Sequence, residues 1–167
     1  MSSERLEQLF DDHHQRLYRL ARRLCLDGEE ARDLVQETYL RAARHVASVP
    51  QGDAGEGWLV RVLVNLTRDR ARRLRVRQRA DRRRPSAAPA RSPESEVVAR
   101  DTVHKALGRL PPRRRAVIVL HYLEDLPIGE IAVLLGISRV TVRYHLAAGR
   151  RGLHSVLTTA DPAGGTT

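Results

Sequence analysis

Residues 130–153 read EIAVLLGISRVTVRYHLAAGRRGL, and no other stretch constrains the fold of this chain as tightly. Ile131, Ala132, Leu134 and Leu135 fall on one side of a short helix, with Pro127 suited to its first turn. Gly136 follows the last apolar residue, where a left-handed C-cap is wanted and glycine adopts it at no steric cost. Ser138 is then a good N-cap for a second helix. In that helix Val142, Leu146 and Leu153 are spaced i, i+4 and i+11 and share a face. That face must pack on the first helix, which leaves Arg139, Thr141, Arg143, Tyr144 and His145 pointing away. The pattern is a helix-turn-helix, with 138–153 as the helix that enters a DNA groove. An ordinary helical hairpin with a solvated basic face has the same core spacing. Turn, cap, core spacing and basic outer face together favour DNA.

Charge supports a polyanionic partner and also divides the chain. The 167 residues carry a formal net charge of +10. Residues 1–57 hold 8 arginines against 11 acidic residues, whereas residues 68–84 hold 10 arginines against 2 aspartates. An acidic-leaning front beside a basic block implies two partners, only one of them nucleic acid. The single cysteine, Cys25, sits between Leu24 and Leu26 and reads as a buried, inert thiol; no disulfide framework is available to it. No apolar run approaches the roughly 20 residues of a membrane span. The first 20 residues are charged and amphipathic, unlike a signal peptide, so the expected location is cytoplasmic.

The remaining periodicity is helical throughout. A first helix is expected over about residues 3–26, with Leu6, Leu9, Phe10, Leu17, Leu20, Ala21 and Leu24 on one stripe. Asp27 with Glu30 predicts a capping box for a second helix, whose inward stripe is Ala31, Leu34, Val35, Thr38, Tyr39, Ala42 and Val46. SVPQGDAGEG reads as a turn-rich loop, and a third helix is expected from near Trp58, with Leu59, Val62, Leu63 and Leu66 inward. Residues 82–95 hold three prolines and no large apolar side chain, a linker composition. Val103, Ala106, Leu107 and Leu110 mark the next helix, and Pro111 with Pro112 opens another through Ala116, Val117 and Leu120. The expected fold class is all-α: two small helical domains, 1–80 and 96–157, a flexible linker at 81–95, a C-terminal helix-turn-helix and a tail at 158–167.

ARDLVQETYLRAARH, then WLVRVLVNLTRDRARR, a proline-rich gap, and LGRLPPRRRAVIVLHYLEDLPIGEIAVLLGISRVTVRYHL together resemble the extracytoplasmic-function (ECF) sigma factors of bacteria, group IV of the sigma-70 family. The likeness covers nearly all of the chain except linker and tail. It implies a first domain that binds core RNA polymerase and the minus-ten element, and a second that reads the minus-thirty-five element. The DLVQET helix would dock on the clamp helices of the largest polymerase subunit. Its outward set is Asp33, Gln36, Glu37, Leu40, Arg41 and Arg44, and an exposed leucine among charges suits a protein contact. The second domain would meet the flap of the second-largest subunit. The loop before Trp58 would capture a flipped minus-ten base. Asn65, Arg68, Asp69 and Arg72, at i, i+3, i+4 and i+7, would follow the separated strand, the amide on a base edge and the arginines on phosphates. Trp58 itself reads better as a half-core anchor than as a strand-separating wedge. Arg139, Thr141, Arg143, Tyr144 and His145 would meet the minus-thirty-five bases, with Arg150 and Arg151 nearer phosphates. The resemblance also implies an anti-sigma factor as a partner, on the solvent-facing helices of both domains.

Several positions depart from the family pattern. Ala43 stands where an aromatic residue is frequent, Tyr144 and His145 where serine and arginine are common, and Ala148 where a further arginine is common. An unusual minus-thirty-five preference is therefore expected. A stand-alone helix-turn-helix regulator would account for 130–153 but gives no reason for 27–46 and 58–73. An enzyme finds still less support. His13–His14 and Asp11–Asp12 are adjacent pairs that cannot share one helix face as metal ligands, and no phosphate loop or activated nucleophile is legible. No metal or other cofactor is expected.

Overall fold

The computed structural model describes residues 2–80 and 98–160. The expected linker at 81–95 and the tail beyond residue 160 lie outside the described residues. Seven α-helices are described: α1 (Ser2–Cys25), α2 (Gly28–Arg44), α3 (Asp53–Ala80), α4 (Val98–Gly108), α5 (Pro112–Tyr122), α6 (Ile128–Leu135) and α7 (Arg139–Ala160). A short 3-10 turn, Val46–Ser48, follows α2, and no strand occurs among the described residues. The chain is all-α. It forms two compact units, Met1–Ser92 and Pro93–Thr167.

The first unit is a three-helix bundle in which each helix packs on the other two. Leu17, Leu20, Ala21 and Leu24 of α1 meet Ala31, Leu34, Val35, Tyr39 and Ala42 of α2 and Leu59, Val60, Leu63, Val64 and Leu66 of α3. Each fully buried leucine contributes roughly 1.5–3 kcal/mol over leaving it in water. Thr38 joins this core because its hydroxyl donates to the Leu34 carbonyl at 2.7 Å and so is not left unpaired. At the head of α1 the predicted stripe is covered less well. Leu6 and Leu9 are half-buried, and Phe10 is exposed, stacked on His14 at 4.4 Å and tilted against Tyr39. Asp27 caps α2 as expected, accepting from the Glu30 amide at 2.7 Å. The Glu30 carboxylate extends to Arg70 of α3 at 3.1 Å.

The third helix corrects the sequence reading. It begins at Asp53, five residues before Trp58, so the expected long loop shrinks to a turn at Pro50, Gln51 and Gly52. Gly52 takes φ +61°, and the Gly55 amide donates back to the Gly52 carbonyl at 2.9 Å. Two of the three glycines that suggested a loop, Gly55 and Gly57, lie in the first turns of a helix. At Gly55 the reason is space: a Cβ there would stand 2.9 Å from the Pro50 carbonyl oxygen. Val46, expected on the inward stripe of α2, is half-buried in the 3-10 turn instead.

The second unit is built around α5, whose Val117, Ile118, Val119 and Leu120 are all buried. Pro111 and Pro112 start this helix, where a missing amide is harmless. Leu107 and Leu110 enter the core, but Val103, expected inward, is exposed. The turn between α6 and α7 follows the sequence closely. Gly136 adopts φ 62° and ψ 42°, its amide donates to the Val133 carbonyl, and the Ile137 amide donates to Ala132 at 3.0 Å, the paired bonds of a Schellman motif. Ser138 then caps α7, its hydroxyl accepting from the Thr141 amide at 3.0 Å. Pro127 precedes α6 as its N-cap rather than sitting inside the first turn.

At 22 residues α7 outruns the expected 138–153, and Thr158 to Ala160, assigned to the tail by sequence, are helical. Nothing before Pro162 in the sequence breaks a helix. α7 packs chiefly on α5 and α6. At the α5 crossing a Cβ on Gly149 would stand 2.6 Å from Cγ1 of Ile118, closer than packed carbons approach. Gly149→Ala should therefore destabilise this unit by about 1–3 kcal/mol through overpacking, although alanine gains about 1 kcal/mol in helix propensity. Thermal or urea unfolding checks this. A variant as stable as wild type would mean that the two helices do not touch there.

Candidate functional site

Three faces carry the residues singled out by the sequence. On α2 the inward stripe leaves Asp33, Gln36, Leu40 and Arg44 exposed, with Glu37 and Arg41 half-exposed beside them. All six lie on the outer side of one helix. Leu40 is 44% exposed, and Glu37 pairs with Arg41 at 3.4 Å across one helical turn. Asp33 stands 3.8 Å from Arg70 of α3, which also holds Glu30. The face is therefore polar and pre-arranged around a central exposed leucine. Exposed ion pairs of this kind add little to stability.

On α3, Arg68 and Arg72 are exposed, while Asn65 and Asp69 are half-buried. Arg68 approaches Asp69 at 3.9 Å. The helix runs well past its last buried residue, Leu66, and residues 72–77 are all exposed. The sequence reading missed how far the basic stripe extends. Arg61, Asn65, Arg68, Arg72, Arg75 and Arg79 recur every three or four residues on one side of α3, and all five arginines are exposed. The stripe spans roughly 27 Å of helix. The same arginine spacing was present in the sequence and could have found it. Trp58 is half-buried near the start of the helix.

On α7 the structure divides the predicted set. Arg139, Arg143, Tyr144, Arg150 and Arg151 are exposed, Tyr144 by 58%. Thr141 and His145 are not part of that outer face. Thr141 is half-buried, its hydroxyl 2.8 Å from that of Ser138. His145 is half-buried, with an inaccessible Nδ1 that has no hydrogen-bond partner and a ring edge-on to Tyr144 at 5.6 Å. Burial, then the charges of Arg114 and Arg113, hold its pKa below the ordinary histidine value, so the ring is neutral at pH 7. The physical reason is the width of the covered arc. Besides Val142 and Leu146, α7 buries Ala148 and Gly149, because α5, and to a lesser extent α4, cover it as well as α6. Val140, not singled out from sequence, is 71% exposed.

The paired histidines diverge: His13 faces Glu56 at 3.7 Å, while His14 stacks on Phe10. Among the described residues no group of three His, Cys, Asp or Glu side chains could hold a metal ion. No single described helix is long and apolar enough to cross a membrane. The α6–α7 pair reaches that length only together, bent by 103°.

Comparison with known families places sigma-70 region 2 on residues 9–77 and sigma-70 region 4 on residues 100–153. The ECF RNA polymerase sigma factor SigM of Mycobacterium tuberculosis is 33% identical over 151 residues, covering 90% of this chain and 76% of that protein. The chain belongs to the ECF sigma factors. SigE of Mycolicibacterium smegmatis is 38% identical over 90% of this chain, which spans only 61% of SigE's length. Among solved structures, CnrH bound to the cytosolic domain of CnrY is 25% identical, with a TM-score of 0.61 over 94% of this chain and 90% of that one. RpoE of Bartonella quintana, solved with the anti-sigma factor NepR, shares the fold at a TM-score of 0.67 and 24% identity, over 91% of this chain and 96% of that one.

The lone cysteine of this sigma factor lies at the end of α1. Its thiol donates to the Ala21 carbonyl at 3.0 Å. Burial, the largest influence, pushes its pKa up to about 11. A raised pKa leaves the reactive thiolate scarce until pH nears that value, about 100-fold scarcer at pH 8 than for a thiol of ordinary pKa. Iodoacetamide at pH 8 should therefore label the native protein slowly and the urea-unfolded protein fast. Equal rates would show that the thiol is not shielded.

Proposed function

We propose that this chain binds core RNA polymerase and directs initiation at promoters carrying both a minus-ten and a minus-thirty-five element. The observation that carries the reading is the presence, in one chain, of region 2 and region 4 patterns, with exposed members of the expected contact sets on α2, α3 and α7. In this reading the outer face of α2, centred on Leu40, docks on the clamp helices of the largest subunit. The second unit meets the flap of the second-largest. The turn before α3 receives a minus-ten base, Asn65 offers its amide to a base edge, and Arg68 and Arg72 neutralise phosphates of the separated strand. α7 lies in the major groove of the minus-thirty-five element.

The division of labour follows from the physics of two small modules. Each alone has too few contacts for tight specific binding, and fixing their separation on the polymerase raises the effective concentration of one site once the other is bound. A stand-alone regulator would have no use for the α2 face or the basic stripe of α3. We read the chain as non-catalytic and its location as cytoplasmic, where these partners are. An anti-sigma factor is a further proposed partner, as the resemblance to the ECF sigma factors implies.

Glu37→Arg combined with Arg41→Ala should weaken binding to core polymerase by at least about tenfold, since charges at a docked face are matched to the partner. Both side chains are half-exposed and paired mainly with each other, so helicity should be unchanged. Affinity at wild-type strength in a folded double variant would mean that the docking face lies elsewhere.

Run-off transcription with core polymerase on a randomised minus-thirty-five library tests the whole reading. Wild type should select a defined subset. A bidentate arginine–guanine contact discriminates by about 1–3 kcal/mol, so Arg143→Ala should reorder the preferred sequences by roughly five- to a hundredfold. Arg151→Ala, a phosphate contact, should lower all of them alike. Absence of promoter-dependent transcription by wild type would overturn the function itself.

A further inference from the structure

The exposed side of α7 carries two parallel rows. One is Arg139, Arg143 and Arg150, all exposed. The other is Val140, Tyr144, Ala147 and Arg151, at i, i+4, i+7 and i+11, so it begins with two large apolar side chains and ends in a charge. Val140 is 71% and Tyr144 58% exposed. Val140 has no evident role in folding. It stands in the first turn of the helix, where an acidic residue would complement the helix dipole and none is present, and its branched side chain is a poor helix former. Its neighbours along the helix on the exposed side, Arg139 and Arg143, form the cationic surround that a polyanion requires.

Base edges in the major groove offer hydrogen-bond donors and acceptors, and a single kind of apolar group, the thymine C5-methyl. We propose that Val140 and Tyr144 form an apolar subsite that takes a thymine methyl in the minus-thirty-five element, making Val140 a specificity-determining residue. The proposal rests on the reading that α7 enters the major groove. The arginine row supplies affinity and guanine contacts, while the valine–tyrosine pair selects thymine at a neighbouring position without a hydrogen bond. Tyr144 and Val140 lie one helical turn apart, so a methyl seated between them loses water on both sides. This surface is the chain's own counterpart of the departure from the family pattern at Tyr144.

Replacing thymine by deoxyuridine removes that methyl and leaves every hydrogen-bonding group of the base in place. Holoenzyme assembled from core polymerase and the full chain would be tested on its selected promoter, with each minus-thirty-five thymine on either strand replaced in turn. Wild type should lose about fourfold in affinity at one position, the effect of one buried methyl. Val140→Ala, exposed and a better helix former, should bind the thymine and deoxyuridine promoters equally. Arg143→Ala should keep the preference for thymine while losing affinity. If no position is sensitive in wild type while Arg143→Ala still reorders the library, the subsite is wrong and the groove reading stands. If neither deoxyuridine nor any α7 variant has an effect, the groove reading fails and the subsite with it. Sensitivity that persists undiminished in Val140→Ala also overturns the assignment.

Discussion

Where α7 crosses α5, the absence of a side chain at Gly149 brings the Ile118 side chain against the helix backbone, so close that a Cβ would lie 2.6 Å from it. This contact decides how α7 is rotated and how much of it is covered. With Gly149 and Ala148 seated inward beside Val142 and Leu146, the helix is held between α5 and α6, and less than half of its circumference reaches solvent. What is left is a narrow face with an arginine row on one side and a valine–tyrosine pair on the other. An exposed helix covered by one neighbour would show a broader and less selective surface. The Schellman turn at Gly136 and the Ser138 cap then fix where that face begins.

The first unit depends on a different device. Its helices pack by ordinary aliphatic interdigitation, but the short turn ahead of α3 is held from a distance. The Arg5 guanidinium, near the start of α1, donates to the carbonyls of Val46, Val49 and Pro50, the last at 3.0 Å. Arg16 and His13 of α1 reach Glu56 in the opening turns of α3. These contacts span about forty residues of sequence and tie the turn proposed to receive a base to the most N-terminal helix. One guanidinium donating to three carbonyls holds the chain from Val46 to Pro50 in place, leading into that turn.

Electrostatics separates the surfaces by role. The α2 face mixes signs around Leu40, as suits a protein partner, and Arg70 draws Glu30 and Asp33 into internal pairs. The side of α3 carrying Arg61, Arg68, Arg72, Arg75 and Arg79 is predominantly basic, with Asp69 beside Arg68 its acidic member, as suits a strand of phosphates. On α7 burial, then the charges of Arg114 and Arg113 on the neighbouring helix, hold the His145 pKa below the ordinary histidine value, and the exposed charge around Tyr144 comes from arginine.

The sequence by itself determined which segments are helical, the caps at Asp27, Gly136 and Ser138, the glycine turn of the helix-turn-helix and most of the inward stripes, though not Phe10, Val46 or Val103, because each depends on residues within a turn or two of one another. Asp27, Gly136 and Ser138 are capping residues wherever they occur in such a setting, and the family likeness adds the order of the parts. It also supplied the outward set of α2, where the covered arc is the usual one. Only the tertiary structure decided where α3 starts, because Gly55 is helical through its fit against Pro50 rather than through propensity. Only the tertiary structure turned Thr141 and His145 onto a covered flank, whereas Val140, two residues before buried Val142, lies opposite the core by periodicity alone. Periodicity tells which side of a helix is buried. How wide that side is depends on how many neighbours press against it, and for α7 the number is set by chain segments up to about forty residues away.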